Sequence, residues 1–180
     1  DPITMLCALK ACGTIKSSYS SHNIHDEIIV KGFENESHIK NILVDTYAKC
    51  GCFSDAECLL IRMQVRDIVA WTALIGGYVE HGHEEEALSC LTEMMRENFS
   101  PDPVTYVRGL QACSSLGSRV RGDAFHAEIV KRGLETDYLI GNTLVDFYCN
   151  CDALLEAEEV FETLQIKDTV SWNALLVGYV

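Results

Sequence analysis

Apolar residues recur along the chain at the three- and four-residue spacing of amphipathic helices, and the predicted helices come in pairs. A short apolar stretch at residues 70–78 is followed by the turn His81-Gly82-His83 and by a longer periodic segment at residues 84–97. The apolar face of that segment consists of Ala87, Leu88, Leu91, Met94 and Met95. The pattern predicts a helix-turn-helix hairpin.

Four more hairpins follow from the same pattern. Two of them pair a first and a second helix, over residues 41–49 with 55–63 and over residues 142–148 with 155–164. In the other two, the first helices close at residues 10–12 and 111–113, and the second helices hold residues 25–31 and 126–132. Gly32 and Gly133 should stop these second helices, because glycine accepts a positive φ. No segment reads as an alternating strand, so the predicted fold class is all-α.

The chain repeats itself at a distance of 101 residues. Residues 67–79 and 168–180 share an aspartate, a tryptophan, an Ala-Leu pair and a Gly-Tyr-Val ending. The same shift maps His25 onto His126, and residues 41–45 onto 142–146. Internal repetition of this kind indicates stacked helical units, so function is expected on an extended surface and not in one pocket.

The length of the units separates two kinds of helical repeat. Counted from the start of each first helix, the units span residues 2–36, 37–67, 68–102, 103–137, 138–168 and, incompletely, 169–180. The complete units are either 35 or 31 residues long. A tetratricopeptide array keeps to about 34 residues, so this alternation does not fit it.

Four stretches carry a resemblance to a known family. They are LVDTYAKCG at residues 43–51, VAWTALIGGY at 69–78, LQACSSLG at 110–117 and VDFY at 145–148. Over essentially its whole length the chain resembles plant pentatricopeptide repeat (PPR) proteins of the PLS subclass, which cycle long, short and standard motifs. The resemblance implies a right-handed α-solenoid forming one array over residues 1–180. Its long motifs are residues 2–36 and 103–137, its short motifs 37–67 and 138–168, and its standard motifs 68–102 and the truncated 169–180.

The resemblance also implies a function. PPR proteins of this subclass bind single-stranded RNA in the mitochondrion or the chloroplast and chiefly specify sites of cytidine-to-uridine editing. We therefore expect organellar RNA as the partner, editing cofactor proteins as further partners, and neither DNA, a membrane nor a small-molecule substrate. The chain begins without a methionine and stops within a motif, so we expect it to be part of a longer protein.

In the family, the fifth and the last residue of a motif choose the base. Carried over residue by residue, the base-reading residues are Asn41 with Asp67, Thr72 with Asp102, Asn142 with Asp168, and Asn173 without its partner. The two asparagine pairs resemble uridine readers, the threonine pair resembles a guanosine reader, and Asn173 suggests a pyrimidine. Since the long motifs fall outside the familiar readout, the implied footprint is 5′-N-U-G-N-U-pyrimidine-3′.

The second residues of neighbouring motifs would sandwich each base. They are His38, Val69, Val104, Leu139 and Val170, joined by Ile3. Each of these sets also has a structural interpretation: the aspartates as helix N-caps, the asparagines as polar residues on an exposed face, and the valines as core residues. The recurring aromatic residues are expected to serve inter-helix packing, namely Trp71, Trp172, Tyr47, Tyr78 and Tyr148.

Charge is the observation that opposes RNA binding. The chain has 14 basic and 27 acidic residues, a net charge of −13, whereas proteins that bind nucleic acid usually carry excess lysine and arginine. A protein-binding helical scaffold would suit this surface and is the alternative function. The nine cysteines are odd in number and several recur in phase with the repeat, Cys12 with Cys113 and Cys50 with Cys151, so we interpret them as small buried hydrophobes.

No catalytic or metal site is predicted. Zinc deaminases combine His-x-Glu with Pro-Cys-x-x-Cys. His25, His83 and His126 each begin a His-x-Glu, but the chain has no Cys-x-x-Cys. Glycine loops that cradle phosphate are absent as well. We therefore expect no cofactor and no enzymatic activity in this region, with its histidines and glutamates on helix surfaces and any deaminase chemistry in another domain or a partner.

Overall fold

The computed structural model describes residues 2–34, 36–63 and 66–179. Within these ranges the chain forms eleven α-helices and no strand, which confirms the all-α prediction. Residues 1 and 180, the ends of the expected array, lie outside the described residues. The helices fall into two compact units, residues 1–100 and residues 101–180.

The first unit contains three hairpins. Its helices are α1 (Pro2–Ile15), α2 (Ser18–Val30), α3 (Ser37–Lys49), α4 (Phe53–Arg62), α5 (Ile68–Glu80) and α6 (Glu84–Arg96). The first helices form a row in which α3 packs against both α1 and α5, and each second helix packs against the helix before it. Helices α3 and α5 approach closely at Gly77, where an added Cβ would lie 2.6 Å from the Cβ of Ala48.

The second unit repeats this arrangement. Its helices are α7 (Pro103–Ser115), α8 (Arg119–Lys131), α9 (Tyr138–Asn150), α10 (Leu154–Thr163) and α11 (Thr169–Gly178). Helix α9 packs against α7, α10 and α11, so it occupies the place that α3 has in the first unit. Tyr106, Leu110 and Phe147 are fully buried in the core of this unit.

Several predicted helix ends were wrong. Helices α1 and α7 do not close at residues 10–12 and 111–113 but continue to Ile15 and Ser115, because a positive φ first occurs after each helix, at Lys16 and Gly117. Helix α9 begins at Tyr138 and not at residue 142, because the N-cap Asp137 fixes its start. The predicted stops at Gly32 and Gly133 are confirmed, with φ of 75° and 68°.

The recurring tyrosines pack between helices as predicted. Tyr47 and Tyr148 are buried, and their hydroxyls lie 2.8 Å from Nδ1 of His25 and of His126 respectively. These two histidines are half-buried, so their expected place on the helix surface is wrong. Burial lowers the pKa of both imidazoles and raises the pKa of both phenols.

The two tryptophans differ. Trp71 is 4% exposed and packs near Phe99, whereas Trp172 is 50% exposed and meets Phe161 edge-on at 4.6 Å between ring centroids. The packing role is therefore confirmed for Trp71 and is only partial for Trp172. The reason is that α6 and Phe99 follow α5, while no second helix follows α11 in the described part of the chain.

All nine cysteines are free thiols. Cys12 and Cys113 are buried, which confirms the interpretation as small core residues. Cys50 and Cys151 are only half-buried, so that interpretation is wrong for this pair. Both directly follow the last residue of a first helix, α3 or α9, where the backbone turns toward solvent.

Candidate nucleic-acid interface

An open groove of about 630 Å³ lies in the second unit, along the first helices α7, α9 and α11. It brings together four residues predicted to contact RNA: Leu139, Asn142, Val170 and Asn173. Val107, the fifth residue of the second long motif, also lines it. Two neighbouring motifs thus direct their fifth and second residues into one groove.

The residues predicted to sandwich bases are exposed. Val69 and Val170 have 61% and 55% of their surface exposed, and Ile3, His38, Val104 and Leu139 are exposed as well. The alternative interpretation of the valines as core residues is therefore wrong. Exposed apolar side chains in the first turn of successive first helices are available to pack on a planar ligand.

The first short motif joins its two predicted readers directly. Nδ2 of Asn41 donates to Oδ2 of Asp67 at 2.6 Å. The other carboxylate oxygen of Asp67 accepts from the backbone N–H of Ala70 at 3.0 Å and so caps α5. Because a carboxylate only accepts hydrogen bonds, Asp67 fixes the orientation of the Asn41 amide.

The second short motif connects the corresponding residues differently. Oδ1 of Asp168 caps α11 through the N–H groups of Val170 and Ser171, at 2.9 and 3.0 Å. Oδ2 of Asp168 accepts from the hydroxyl of Tyr138 at 2.6 Å. This bond, with those to the α11 backbone, lowers the pKa of Asp168. In the second short motif, Tyr138 thus donates to the carboxylate oxygen that corresponds to the one to which Asn41 donates in the first.

Sequence reasoning missed Tyr138. Its hydroxyl donates to Asp168, which raises the pKa of the phenol, and its ring lines the groove. A signal was present in the sequence, because the repeat aligns Tyr138 with Ser37, a large difference in size next to an Asn and Asp pair that is the same in both motifs.

Both asparagines are buried, with 9% of Asn41 and 7% of Asn142 exposed. Their alternative interpretation as polar residues on an exposed face is therefore wrong. Oδ1 of each amide is buried without a hydrogen-bond partner among the described residues. Leaving a buried acceptor unsatisfied costs about 1–3 kcal/mol, so each site favours a ligand that offers a donor.

The predicted guanosine readers, Thr72 and Asp102, lie in different units. Thr72 is half-buried on α5. Asp102 caps α7, and its Oδ1 accepts from the backbone N–H of Thr105 at 2.8 Å and from the Thr105 hydroxyl at 2.7 Å. The capping interpretation is thus confirmed for Asp102, Asp67 and Asp168. Asn173 is exposed in the groove of the second unit.

A second groove, of about 720 Å³, lies in the first unit among α4, α5 and α6. It is acidic and contains Glu57, Glu85, Glu86, Glu93 and Glu97. Arg66 also lines it but is paired with Glu97. This groove would repel phosphate groups, so it is a poor candidate for binding an RNA backbone.

Residues 2–34, 36–63 and 66–179 offer neither a cluster of metal ligands nor a membrane span. No group of three or more histidine, cysteine, aspartate or glutamate side chains in this part could hold a metal ion. No described helix is both long and apolar enough to cross a membrane.

Comparison with protein families gives two matches of one kind. The PPR repeat family matches residues 66–115, and the PPR repeat matches residues 39–68 and 142–168. Together these regions cover more than half of the chain, and they include all of α4 to α7 and α10 and most of α3 and α9.

Curated relatives come from Arabidopsis thaliana. A chloroplastic pentatricopeptide repeat-containing protein is 36% identical over 177 residues, which are 98% of this chain and 29% of that protein. Chloroplastic CRR2 is 36% identical over 185 residues, 99% of this chain and 28% of that protein. A chloroplastic/mitochondrial relative is 34% identical over 182 residues, 99% of this chain and 28% of that protein. The chain spans less than a third of the length of each of these relatives.

Solved structures share the fold. The pentatricopeptide repeat protein PPR10 from maize superposes with a TM-score of 0.76 at 19% identity, over 99% of this chain and 27% of that one. PPR10 in complex with an 18-nucleotide psaJ RNA element gives a TM-score of 0.72 at 22% identity, over 89% of this chain and 25% of that one. The helical hairpins described above therefore have the fold of a PPR solenoid.

Proposed function

Since this chain belongs to the pentatricopeptide repeat family, we propose that it binds single-stranded RNA sequence-specifically, with each complete short or standard motif reading one base. The observation that carries the proposal is the groove along α7, α9 and α11, which holds Asn142 and Asn173 between the exposed Leu139 and Val170. The RNA-bound structure of PPR10, a protein of the same fold, supports the choice of ligand.

The buried amides favour uridine in the two short motifs. Asn41 turns Nδ2 toward Asp67, which leaves Oδ1 as the acceptor without a partner in the described part of the chain. Uracil has an N–H donor on its Watson–Crick edge, at N3, where cytosine has an acceptor. A base that donates to Oδ1 would relieve the unsatisfied acceptor, so uridine fits better than cytidine.

The remaining assignments follow the family's code. Thr72 with Asp102 is proposed to read guanosine, because the short hydroxyl leaves room for a purine. Asn173 is proposed to prefer a pyrimidine. The proposed footprint is therefore 5′-N-U-G-N-U-pyrimidine-3′, with apolar contacts from Val69, Val104 and Val170 adding affinity without choosing the base.

The wider role is proposed from the relatives. Several of them are named chloroplastic or chloroplastic/mitochondrial, which supports an organellar location for this protein. We propose that the array marks sites of organellar RNA processing, and cytidine-to-uridine editing in particular. The array would supply the address, and the chemistry would belong to another domain or to an editing cofactor protein.

A second candidate function is protein binding, which the acidic groove of the first unit favours. Its glutamates would attract a basic segment of a partner and repel RNA. This function would make the array a scaffold, and RNA affinity would then be weak and independent of sequence.

Gel-shift titration at fixed salt separates the two functions. The chain is titrated against an RNA that contains U-G-N-U and against the same nucleotides in scrambled order. RNA reading predicts at least about tenfold tighter binding to the first RNA, because one good base contact is worth about 1–3 kcal/mol. Equal affinity for both RNAs, or no binding to either, would contradict the proposal.

A further inference from the structure

The two short motifs share their base-reading pair but differ at several positions beside it, including the first residue. Asn41 and Asp67 of the first motif match Asn142 and Asp168 of the second, whereas the first residue changes from serine at Ser37 to tyrosine. A residue that differs in size beside an unchanged pair can change how that pair meets its ligand.

Tyr138 occupies the junction of the second reading site. Its hydroxyl donates to Oδ2 of Asp168 at 2.6 Å, at the oxygen that in the first motif accepts from the asparagine. Asn142 lines the same groove as Tyr138, one helical turn further along α9, so Tyr138 lies beside both readers.

The ring of Tyr138 is also available to a ligand. It is 44% exposed and lines the groove together with Leu139, Val170 and Asn173. Aromatic rings stack on bases of any sequence, and removing one such contact typically weakens binding about 5- to 150-fold. Ser37, also exposed, offers no such surface.

We propose that Tyr138 is a further RNA-contacting residue: its ring packs on the base read by the second short motif, and its hydroxyl fixes the Asp168 carboxylate of the reading pair. The inference rests on the proposed function and deepens it. The second short motif holds its uridine, the fifth nucleotide of the footprint, more tightly than the first motif holds its own.

The test measures equilibrium binding of the full chain and of Tyr138→Ser to two RNAs. One contains U-G-N-U, and the other is identical except that the base of its fifth nucleotide is removed. We expect Tyr138→Ser to weaken binding to the intact RNA about tenfold and to leave binding to the abasic RNA within about twofold, because the lost contact is with the base. Tyr19→Ser, which removes a tyrosine that is 78% exposed on α2, is the matched control and should bind both RNAs normally.

Two further variants divide the roles of ring and hydroxyl. Tyr138→Phe keeps the ring, so it should retain most of the affinity while its preference for uridine over cytidine at the fifth nucleotide falls several-fold. Ser37→Tyr adds a ring to the first short motif and should strengthen binding to an RNA with an intact second base.

The outcomes separate the inference from the function on which it rests. If wild-type protein reads U-G-N-U but Tyr138→Ser binds both RNAs as wild type does, the inference is wrong and the proposed function stands. Equal weakening toward intact and abasic RNA would also overturn it, because Tyr138 would then act on the fold alone. If wild-type protein does not distinguish the two sequences, the proposed function fails and the inference fails with it.

Discussion

The two short motifs, residues 37–67 and 138–168, both end in an aspartate that caps the next first helix. A different side chain contacts this aspartate in each motif. In both, one carboxylate oxygen caps the next first helix, and the other accepts from a side chain of the same motif. Asn41 reaches that oxygen itself, whereas in the second motif Tyr138 reaches it. The helix cap is thus repeated in both motifs, while the contact made by the second carboxylate oxygen differs between them.

The scaffold also varies, but in matched pairs. Ser21 and Thr46 of the first unit correspond to Gly122 and Phe147 of the second, and all four positions are buried. A Cβ added at Gly122 would lie 1.9 Å from Cζ of Phe147. The second unit thus combines a small residue with a large one where the first unit combines two of intermediate size.

Overpacking the pair formed by Gly122 and Phe147 should give the largest loss of stability. Gly122→Ser would force its side chain into the Phe147 ring, and overpacking of this kind costs about 1–3 kcal/mol in unfolding free energy. The measurement is urea denaturation followed by circular dichroism.

The double variant Gly122→Ser/Phe147→Thr restores the residues of the first unit and is the control. It should recover part of the lost stability relative to Gly122→Ser alone. A single variant as stable as wild type would show that the ring is not confined by Gly122.

Replacing the corresponding aspartates Asp67 and Asp168 tests whether helix capping and base preference can be separated. Asp67→Ala and Asp168→Ala should each lower the unfolding free energy by about 1 kcal/mol, because each removes an N-cap. Asp67→Ala should in addition reduce the preference for uridine at the second nucleotide, since it frees the Asn41 amide to rotate.

Asp137→Ala removes the cap of α9, which accepts from the N–H groups of Leu139 and Ile140, and leaves both residues of the Asn41 and Asp67 pair in place, so it is the matched control for preference at the second nucleotide. It should lose stability but keep base preference. If Asp67→Ala and Asp137→Ala have the same effect on base preference, the reading contact has no separate role.

Acid should destabilise each unit through a histidine–tyrosine contact that occurs once in each. Burial lowers the pKa of His25 and His126 below the value of about 6.5 that a histidine has in the unfolded chain. The unfolded state then binds more protons, so these contacts contribute fully above that pH, and stability is lost as the pH falls through the folded pKa.

Urea denaturation at a series of pH values from 7.5 to about 5 measures this loss. His25→Gln and His126→Gln should each flatten the dependence of stability on pH in that interval. A dependence that stays unchanged in both variants would contradict the assignment.

The smallest effect on stability should come from a surface ion pair of the first unit, and its dependence on pH should have the opposite sign. His22 lies 3.2 Å from Asp55, and the corresponding acid of the second unit, Glu156, pairs with Arg119. A backbone hydrogen bond to Ser18 and the Asp55 carboxylate raise the pKa of His22. The His22 contact therefore stabilises below pH of about 6.5 and is lost as the pH rises through the folded pKa.

Because His22 is largely exposed, we expect a few tenths of a kcal/mol at most. Asp55→Asn should reduce that small pH dependence, because the hydrogen bond to Ser18 remains, and Glu156→Gln should leave the pH dependence near neutrality unchanged because arginine stays charged. A clear change near neutrality in Glu156→Gln would contradict this difference between the units.

The sequence allowed the repeat, the hairpins and the fold class to be predicted, because they depend on residues that recur, such as Trp71 and Gly133. Helix starts were harder, since the caps that define them lie outside the apolar pattern, as Asp137 does. The proposed role of Tyr138 could not be predicted from the family's code, because that code considers the fifth and last residues and Tyr138 is the first. Its contact with Asp168 depends on the three-dimensional approach of α9 to the start of α11.

The burial of Asn41 and Asn142 could not be predicted from the sequence either. A polar residue in an amphipathic helix is ordinarily assigned to the exposed face, yet Asn41 and Asn142 lie among the buried side chains of α3 and α9. Conversely, Val69 and Val170 are apolar and exposed. Both departures from the usual pattern occur at residues proposed to contact RNA, which is where a functional surface conflicts with the rules of the core.

The central claim, that the fifth residue of a motif chooses its base, is tested most directly by changing one reader and one base together. Wild-type chain and Thr72→Asn are titrated with two RNAs, one containing U-G-N-U and the other U-U-N-U. The account predicts that wild type prefers the first RNA and that Thr72→Asn prefers the second. If the substitution weakens binding to both RNAs equally, or leaves the preference for guanosine unchanged, the claim is contradicted.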